Sequence, residues 1–196
     1  MVAVIDYGSG NIFSLCKAIE RTGNEYVITA DKSVISRCTH IVLPGVGDAS
    51  DVMKGIEERG LRDVITNLKC PVLGICIGMQ VLCKWSEEGN TSCLSVYEER
   101  VKKLEGNNLK IPHMGWNSLT NLNGELFQGV PEGEWFYFVH SYAPEAGVST
   151  SSVTEYGELF SSSLKKDNFF GTQFHPEKSG AAGEIVLSNF LNINYL

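Results

Sequence analysis

A histidine and a glutamate stand two residues apart where an apolar run ends, in Phe170-Gly171-Thr172-Gln173-Phe174-His175-Pro176-Glu177. In a strand, alternate residues share a face, so both polar groups would come to one side of the sheet's edge. That spacing suits an imidazole base whose second ring nitrogen is held by a carboxylate, with Pro176 stiffening the link. A nucleophile for such a pair occurs in Val72-Leu73-Gly74-Ile75-Cys76-Ile77-Gly78-Met79-Gln80, where an apolar strand runs through Gly-x-Cys-x-Gly into a helix. This is the nucleophile-elbow pattern with cysteine in the serine position. Its glycines make room for a sharp turn that exposes the sulfur at the carboxyl end of the sheet, and the dipole of the following helix favours the thiolate. The chemistry would be nucleophilic attack on a carbonyl: His175 takes the thiol proton and returns it to the leaving group, while Glu177 fixes the tautomer. A tetrahedral intermediate needs N–H donors. The loop Leu43-Pro44-Gly45-Val46-Gly47-Asp48 is suited to forming an anion-binding nest, so the expected oxyanion hole combines a backbone N–H near Val46 or Gly47 with that of Ile77.

Each segment has a plainer reading when taken alone. Gly-x-Cys-x-Gly also describes an ordinary strand-to-helix turn around a buried cysteine, His-Pro at a strand end is often only a turn, and Pro-Gly-x-Gly reads equally well as a tight turn. What favours chemistry is the presence of all three in one chain. Other segments carry less. Tyr7-Gly8-Ser9-Gly10-Asn11 suggests a dinucleotide loop, but Phe13 occupies the place of the third glycine, so no nucleotide site is expected. Cys16, Cys38, Cys70, Cys76, Cys83 and Cys93 form no C-x-x-C pair, which argues against a zinc site or a disulfide scaffold and for a reducing compartment. His40 and His113 lack neighbouring ligand residues and are expected to be structural or surface histidines. No metal and no cofactor is expected.

The elements that must position these residues alternate. The runs at 2–6, 25–29, 41–43 and 70–75 read as short buried strands; helical spacing follows the first (Ile12, Phe13, Leu15, Cys16, Ile19), and helices are expected at 49–58 and 78–85. Strands alternating with helices imply a parallel sheet covered on both faces. The second half has short strands between turn signals, the strongest at 135–139 and 169–173, and a helix at 184–192, so antiparallel strands are expected to extend the same domain. With 196 residues, 43% hydrophobic and 20% charged, the chain suits one globular domain spanning 1–196. A net charge of −7 provides no basic footprint for nucleic acid or an anionic membrane. No apolar run approaches the ~20 residues of a membrane span, and the first residues lack a signal-peptide pattern, so a cytoplasmic protein is expected.

In order along the chain, Pro44-Gly-Val-Gly47, Gly74-Ile-Cys-Ile-Gly-Met-Gln80 and His175-Pro-Glu177 resemble the motifs of the class I (triad) glutamine amidotransferases. Within that family the finer resemblance is to the glutaminases of histidine biosynthesis, and it covers nearly the whole length. It is carried by Ile5-Asp-Tyr-Gly-Ser-Gly-Asn11, Ile111-Pro-His-Met-Gly-Trp-Asn117, Tyr137-Phe-Val-His-Ser-Tyr142 and His175-Pro-Glu-Lys-Ser179. The resemblance implies an α/β fold with a central, mostly parallel sheet flanked by helices and extended by antiparallel strands. It also implies that Cys76 forms a γ-glutamyl thioester from glutamine, with His175 as acid and base and Glu177 as its orienting carboxylate. Gly45, Gln80, Ser141 and Tyr142 would contact the substrate. Asn11, Trp116, Tyr137, His140 and Lys178 would face a (β/α)8 cyclase subunit that receives the ammonia in a heterodimer. In this family the oxyanion loop is out of line until the cyclase site is filled, so residues 45–47 are expected to be a two-state element. Rival readings are a glutaminase serving another synthase, a stand-alone cysteine hydrolase or redox sensor, and a binding module with a relic triad.

Overall fold

The computed structural model describes residues 1–8, 12–106 and 109–194. The first half alternates as expected: β1 (Val2–Ile5), α1 (Phe13–Arg21), β2 (Tyr26–Thr29), α2 (Lys32–Ile35), β3 (His40–Leu43), α3 (Ala49–Glu58), α4 (Arg62–Thr66), β4 (Val72–Ile75) and α5 (Ile77–Gln80). Short strands follow: β5 (Trp85–Ser86), β6 (Thr91–Ser92), β7 (Arg100–Lys103), β8 (His113–Ser118), β9 (Trp135–His140) and β10 (Tyr142–Pro144). The chain then forms β11 (Thr150–Tyr156), β12 (Glu158–Lys166), β13 (Phe169–Thr172) and α6 (Gly180–Leu191).

Seven strands form the main sheet in the order β11-β12-β13-β4-β3-β1-β2. From β2 to β13 neighbours run parallel; β12 and β11 add on antiparallel. The α/β class with a largely parallel sheet is therefore as expected. Alternation along the strands explains the two-sided cover. Ala3, Ile5, Ile41 and Leu43 enter one apolar cluster with Val52 and Ile56 of α3 and Ile65 of α4. Val2, Val4, Val42 and Leu73 enter another with Leu15 and Ile19 of α1 and Val186, Leu187 and Phe190 of α6. Successive strand residues point to opposite faces, so strands buried on both sides are apolar throughout. Helix α3 starts where the Asp48 carboxylate accepts from the Asp51 N–H at 2.9 Å, satisfying one of the free amides of its first turn.

Two boundaries differ from the sequence reading. The helix expected over 78–85 ends after one turn, because the carbonyls of Val81, Leu82 and Cys83 accept from Leu94, Val96 and Ser95 instead of continuing the helix. Helix α6 begins at Gly180, four residues before the expected start. Outside the main sheet, β10-β7-β5-β6 form a small sheet and β8-β9 an antiparallel ribbon. Among the described residues, no helix is long and apolar enough to cross a membrane.

Candidate active site

Cys76 sits between β4 and α5 with φ 49 and ψ −111, a left-handed conformation that L side chains rarely adopt. Such strain is held by surrounding structure and clusters at functional sites. Here the Cys76 N–H donates to the Thr172 carbonyl of β13 at 2.6 Å, which ties the elbow to the neighbouring strand. Gly78 completes the turn because a β-carbon there would overlap the Leu43 carbonyl of β3. As the first residue of α5, Ile77 has an N–H without an intrahelical acceptor, and it lines the same cavity as Cys76.

His175 follows β13 and is anchored at its backbone: its N–H donates to the Tyr137 carbonyl at 2.9 Å, and its carbonyl accepts from Ser179 Oγ at 2.7 Å. Pro176 opens a 3-10 turn over Pro176–Lys178 that brings Glu177 back, so that His175 Nδ1 lies 2.8 Å from Glu177 Oε1. Both side chains are nearly out of solvent, at 4% and 8% exposure. Burial by itself pushes the imidazole toward its neutral form. Hydrogen bonds to Cys76 and Glu177, with their negative charge, outweigh it and raise the His175 pKa to about 10. Cys76, His175 and Glu177 thus form a row across the site. Gly45 closes against it: a β-carbon there would come within 3.0 Å of His175 Cε1 and the Cys76 β-carbon.

Two cavities flank the row. One, of about 220 Å³, is lined by Cys76, Ile77, Gln80, Ser141 and Tyr142, together with Gly47. This is below the ~300–1,000 Å³ of sites for drug-sized ligands and suits a small metabolite. The other, of about 160 Å³, lies on the imidazole side between Gly45, Val46, His175, Glu177 and Lys178. The larger cleft of about 630 Å³ along Trp85, Arg100 and Lys102 contains neither the cysteine nor the histidine.

The structure brings the three expected side chains together, and Gly47, Ile77, Gln80, Ser141 and Tyr142 line one cavity with Cys76. Gly45 and Val46 instead line the second cavity. Two contributors went unseen. Glu88 lines the first cavity and accepts from the Ala49 N–H at 2.9 Å, and its carboxyl is pushed up by burial; in sequence it is one acid of a polar turn. Tyr7 is buried and donates its hydroxyl to the Pro44 carbonyl, which steadies the start of the glycine-rich loop. Nothing in its local sequence distinguished it from a core aromatic.

The residues expected on an outer face divide. Trp116 is 51% exposed and packs edge-on to Tyr137 at 6.2 Å, and Lys178 Nζ lies 6.0 Å from the Tyr137 ring. Asn11 lies outside the described residues. His140 has to be corrected: it is buried, because Phe136, Phe138 and His140 share the inward face of β9. Its Nδ1 donates to the Tyr142 carbonyl at 2.9 Å, so its Nε2 accepts from His113 Nδ1 at 3.0 Å, and His113 Nε2 accepts from Asn117 at 3.4 Å. Burial holds both rings neutral, with pKa values near 4 for His113 and 3 for His140. Among the described residues no cluster of three His, Cys, Asp or Glu side chains is arranged to hold a metal ion.

A cysteine on a strained strand-to-helix turn, beside a histidine fixed by a glutamate at the end of the adjacent parallel strand, is the arrangement expected of a cysteine-dependent amidotransferase. The chain belongs to that family: the model described as "Glutamine amidotransferase class-I" matches residues 3–193. At the finer level, its relatives are HisH subunits of imidazole glycerol phosphate synthase. The Bacteroides fragilis (strain ATCC 25285) protein is 46% identical over 98% of this chain and 99% of its own length, and that of Yersinia pseudotuberculosis is 44% identical over the same shares. Among solved structures, a glutamine amidotransferase superposes with TM-score 0.76 at 18% identity, covering 97% of each chain. Another glutamine amidotransferase, from Thermotoga maritima, gives 0.66 at 16%, covering 97% of this chain and 82% of that one.

Proposed function

We infer that the chain is the glutaminase subunit of imidazole glycerol phosphate synthase and hydrolyses glutamine through Cys76, His175 and Glu177. The carrying observation is the strained elbow that sets Cys76 beside an imidazole locked to a carboxylate at 2.8 Å. The thiolate attacks the amide carbon, and the oxyanion forms against N–H groups of Ile77 and the 46–47 segment. His175, as imidazolium, protonates the departing nitrogen, so ammonia leaves and a γ-glutamyl thioester remains. Neutral His175 then takes a proton from water as it attacks the thioester, and glutamate leaves with the thiolate restored. Glu177 keeps the Nδ1 proton in place throughout.

Recognition of glutamine follows from the cavity's polarity. Gln80 Nε2 is engaged by Tyr142 O at 2.8 Å and Gln173 Oε1 at 2.9 Å, so only its Oε1 is left to accept from a ligand. That oxygen and the Glu88 carboxylate suit the α-ammonium group, and Ser141 and Tyr142 supply the opposite wall. Glu88→Gln should raise the KM for glutamine about 10-fold with kcat within 2-fold, equivalent to roughly 1.4 kcal/mol of lost ground-state and transition-state binding alike. Steady-state assays of glutamate release check it; a fall in kcat at unchanged KM would place Glu88 in the chemistry instead.

The ammonia acceptor is a (β/α)8 cyclase docked on the face carrying Trp116, Tyr137 and Lys178, and the second cavity beside His175 opens the way to it. One domain over 1–196 carries the whole reaction in the cytoplasm, and the 45–47 backbone switches when the cyclase is occupied. The test is glutamate release by this chain alone, then with the cyclase and its ribulosyl phosphate ligand. Strong activation supports both chemistry and partner, whereas equal rates with and without the cyclase would remove the switch and point to a different synthase.

A further inference from the structure

Behind the nucleophile lies a row of amides whose orientation is set from a distance. Gln173 follows β13, and its side chain has no exposure to solvent. Its Nε2 stands 3.5 Å from Cys76 Sγ. The two ends of an amide have nearly the same shape, so what decides which atom faces the sulfur is the hydrogen-bond network. A backbone carbonyl provides that decision. Tyr142 O can only accept, and Gln80 Nε2 lies 2.8 Å from it, which fixes the nitrogen end of Gln80. The second hydrogen of the same nitrogen serves Gln173 Oε1 at 2.9 Å. With its oxygen committed, Gln173 is left with an N–H aimed at the sulfur. The Tyr142 carbonyl is held on its other side by His140, which His113 and Asn117 fix in turn, so the anchor reaches the β8-β9 ribbon.

We propose that Gln173 is a positioning residue for the nucleophile, donating Nε2–H to the Cys76 sulfur, while Gln80 and the Tyr142 carbonyl keep its amide from turning over. The proposal rests on Cys76 being the nucleophile. A donor favours the charged sulfur over the neutral thiol, and does so more strongly in a buried site than in water. It also opposes a neighbour of the other polarity: the Val139 carbonyl lies 3.9 Å from Sγ, where it accepts from the thiol and works against the thiolate. Turned over, Gln173 would present a second oxygen to the sulfur. Gln80 thus has two tasks, lining the substrate cavity with its oxygen and holding Gln173 with its nitrogen.

Iodoacetamide alkylation of Cys76 across pH, followed by mass spectrometry on the full chain, reads out the thiolate. Gln173→Met preserves length and removes the donor; alkylation at pH 7 should slow about 10-fold and return to the wild-type rate above pH 10. Gln80→Met, which frees Gln173 to turn, should slow it less, and the double variant no more than Gln173→Met alone. In the complex, kcat for glutamine should fall with the pH 7 alkylation rate in Gln173→Met. Circular dichroism checks folding, and Gln80→Met carries the test if Gln173→Met does not fold. Equal alkylation rates for all variants, or the same slowing at every pH, would overturn the proposal and leave Gln173 as packing. If wild-type Cys76 reacts no faster than the other five cysteines, the nucleophile assignment itself is wrong.

Discussion

Cys76→Ala in the complex with the cyclase is expected to abolish glutamate release, by at least about 10⁴-fold, because among the described residues no other thiol lines the two cavities at His175 and the remaining site offers only binding and an oxyanion hole. Two controls give the result its meaning. The synthase reaction supplied with an ammonium salt should continue at the wild-type rate, since the substitution removes the source of ammonia and not its consumer. The folded state should also survive, because the strain at residue 76 belongs to its backbone, with φ 49, and not to the sulfur. From that strain, Cys76→Gly should be more stable than Cys76→Ala by roughly 1 kcal/mol, as glycine adopts the left-handed region without steric cost. Urea unfolding measures the difference. Substantial residual turnover in the alanine variant would mean that another group delivers the nucleophile.

Glu177→Gln is expected to lower glutamate release by about 10²- to 10³-fold and to move the alkaline limb of the pH–rate profile well below 10. In the proposed mechanism the His175 imidazolium protonates the leaving ammonia, and it persists to about pH 10 because Cys76 and Glu177 hold the proton against the burial that would drive it off. A neutral amide at 177 still fits but supplies no charge, so His175, then supported by Cys76 alone, loses its proton below pH 10. Stability follows the same sign. A histidine whose folded pKa is raised contributes fully below about pH 6.5, progressively less as pH rises, and nothing above about 10. The stability gap between wild type and variant should therefore narrow from pH 7 to 10 in urea titrations. A rate loss with an unmoved alkaline limb would show that Glu177 acts through geometry alone.

Residue types and their local spacing were enough for much of this. Buried parallel strands are apolar on both faces, so β1, β3 and β4 stood out as continuous runs, and the elbow needs small residues on both sides of its nucleophile, so Gly74-Ile-Cys-Ile-Gly78 was legible as a turn. His175 and Glu177 are two residues apart and joined by proline, which made their pairing a local matter. His140 was legible too, in retrospect: the period of two that buries Phe136 and Phe138 buries it as well.

What depended on the fold is whatever is assembled from segments that do not know of each other along the chain. The one-turn length of α5 is decided by amides of Leu94, Ser95 and Val96, which capture its outgoing carbonyls, and no local propensity encodes that. Glu88 becomes part of the site only because the turn that carries it folds over α3 and caps the Ala49 amide. The orientation of Gln173 is set by a carbonyl on β10 through Gln80 on α5. Sequence alone determined which atoms could react, because reactivity is a property of side chains and of the backbone next to them. Which proton sits on which nitrogen, and which amide end faces the sulfur, was decided by the tertiary structure, because those choices depend on desolvation and on hydrogen-bond partners that only packing brings within reach.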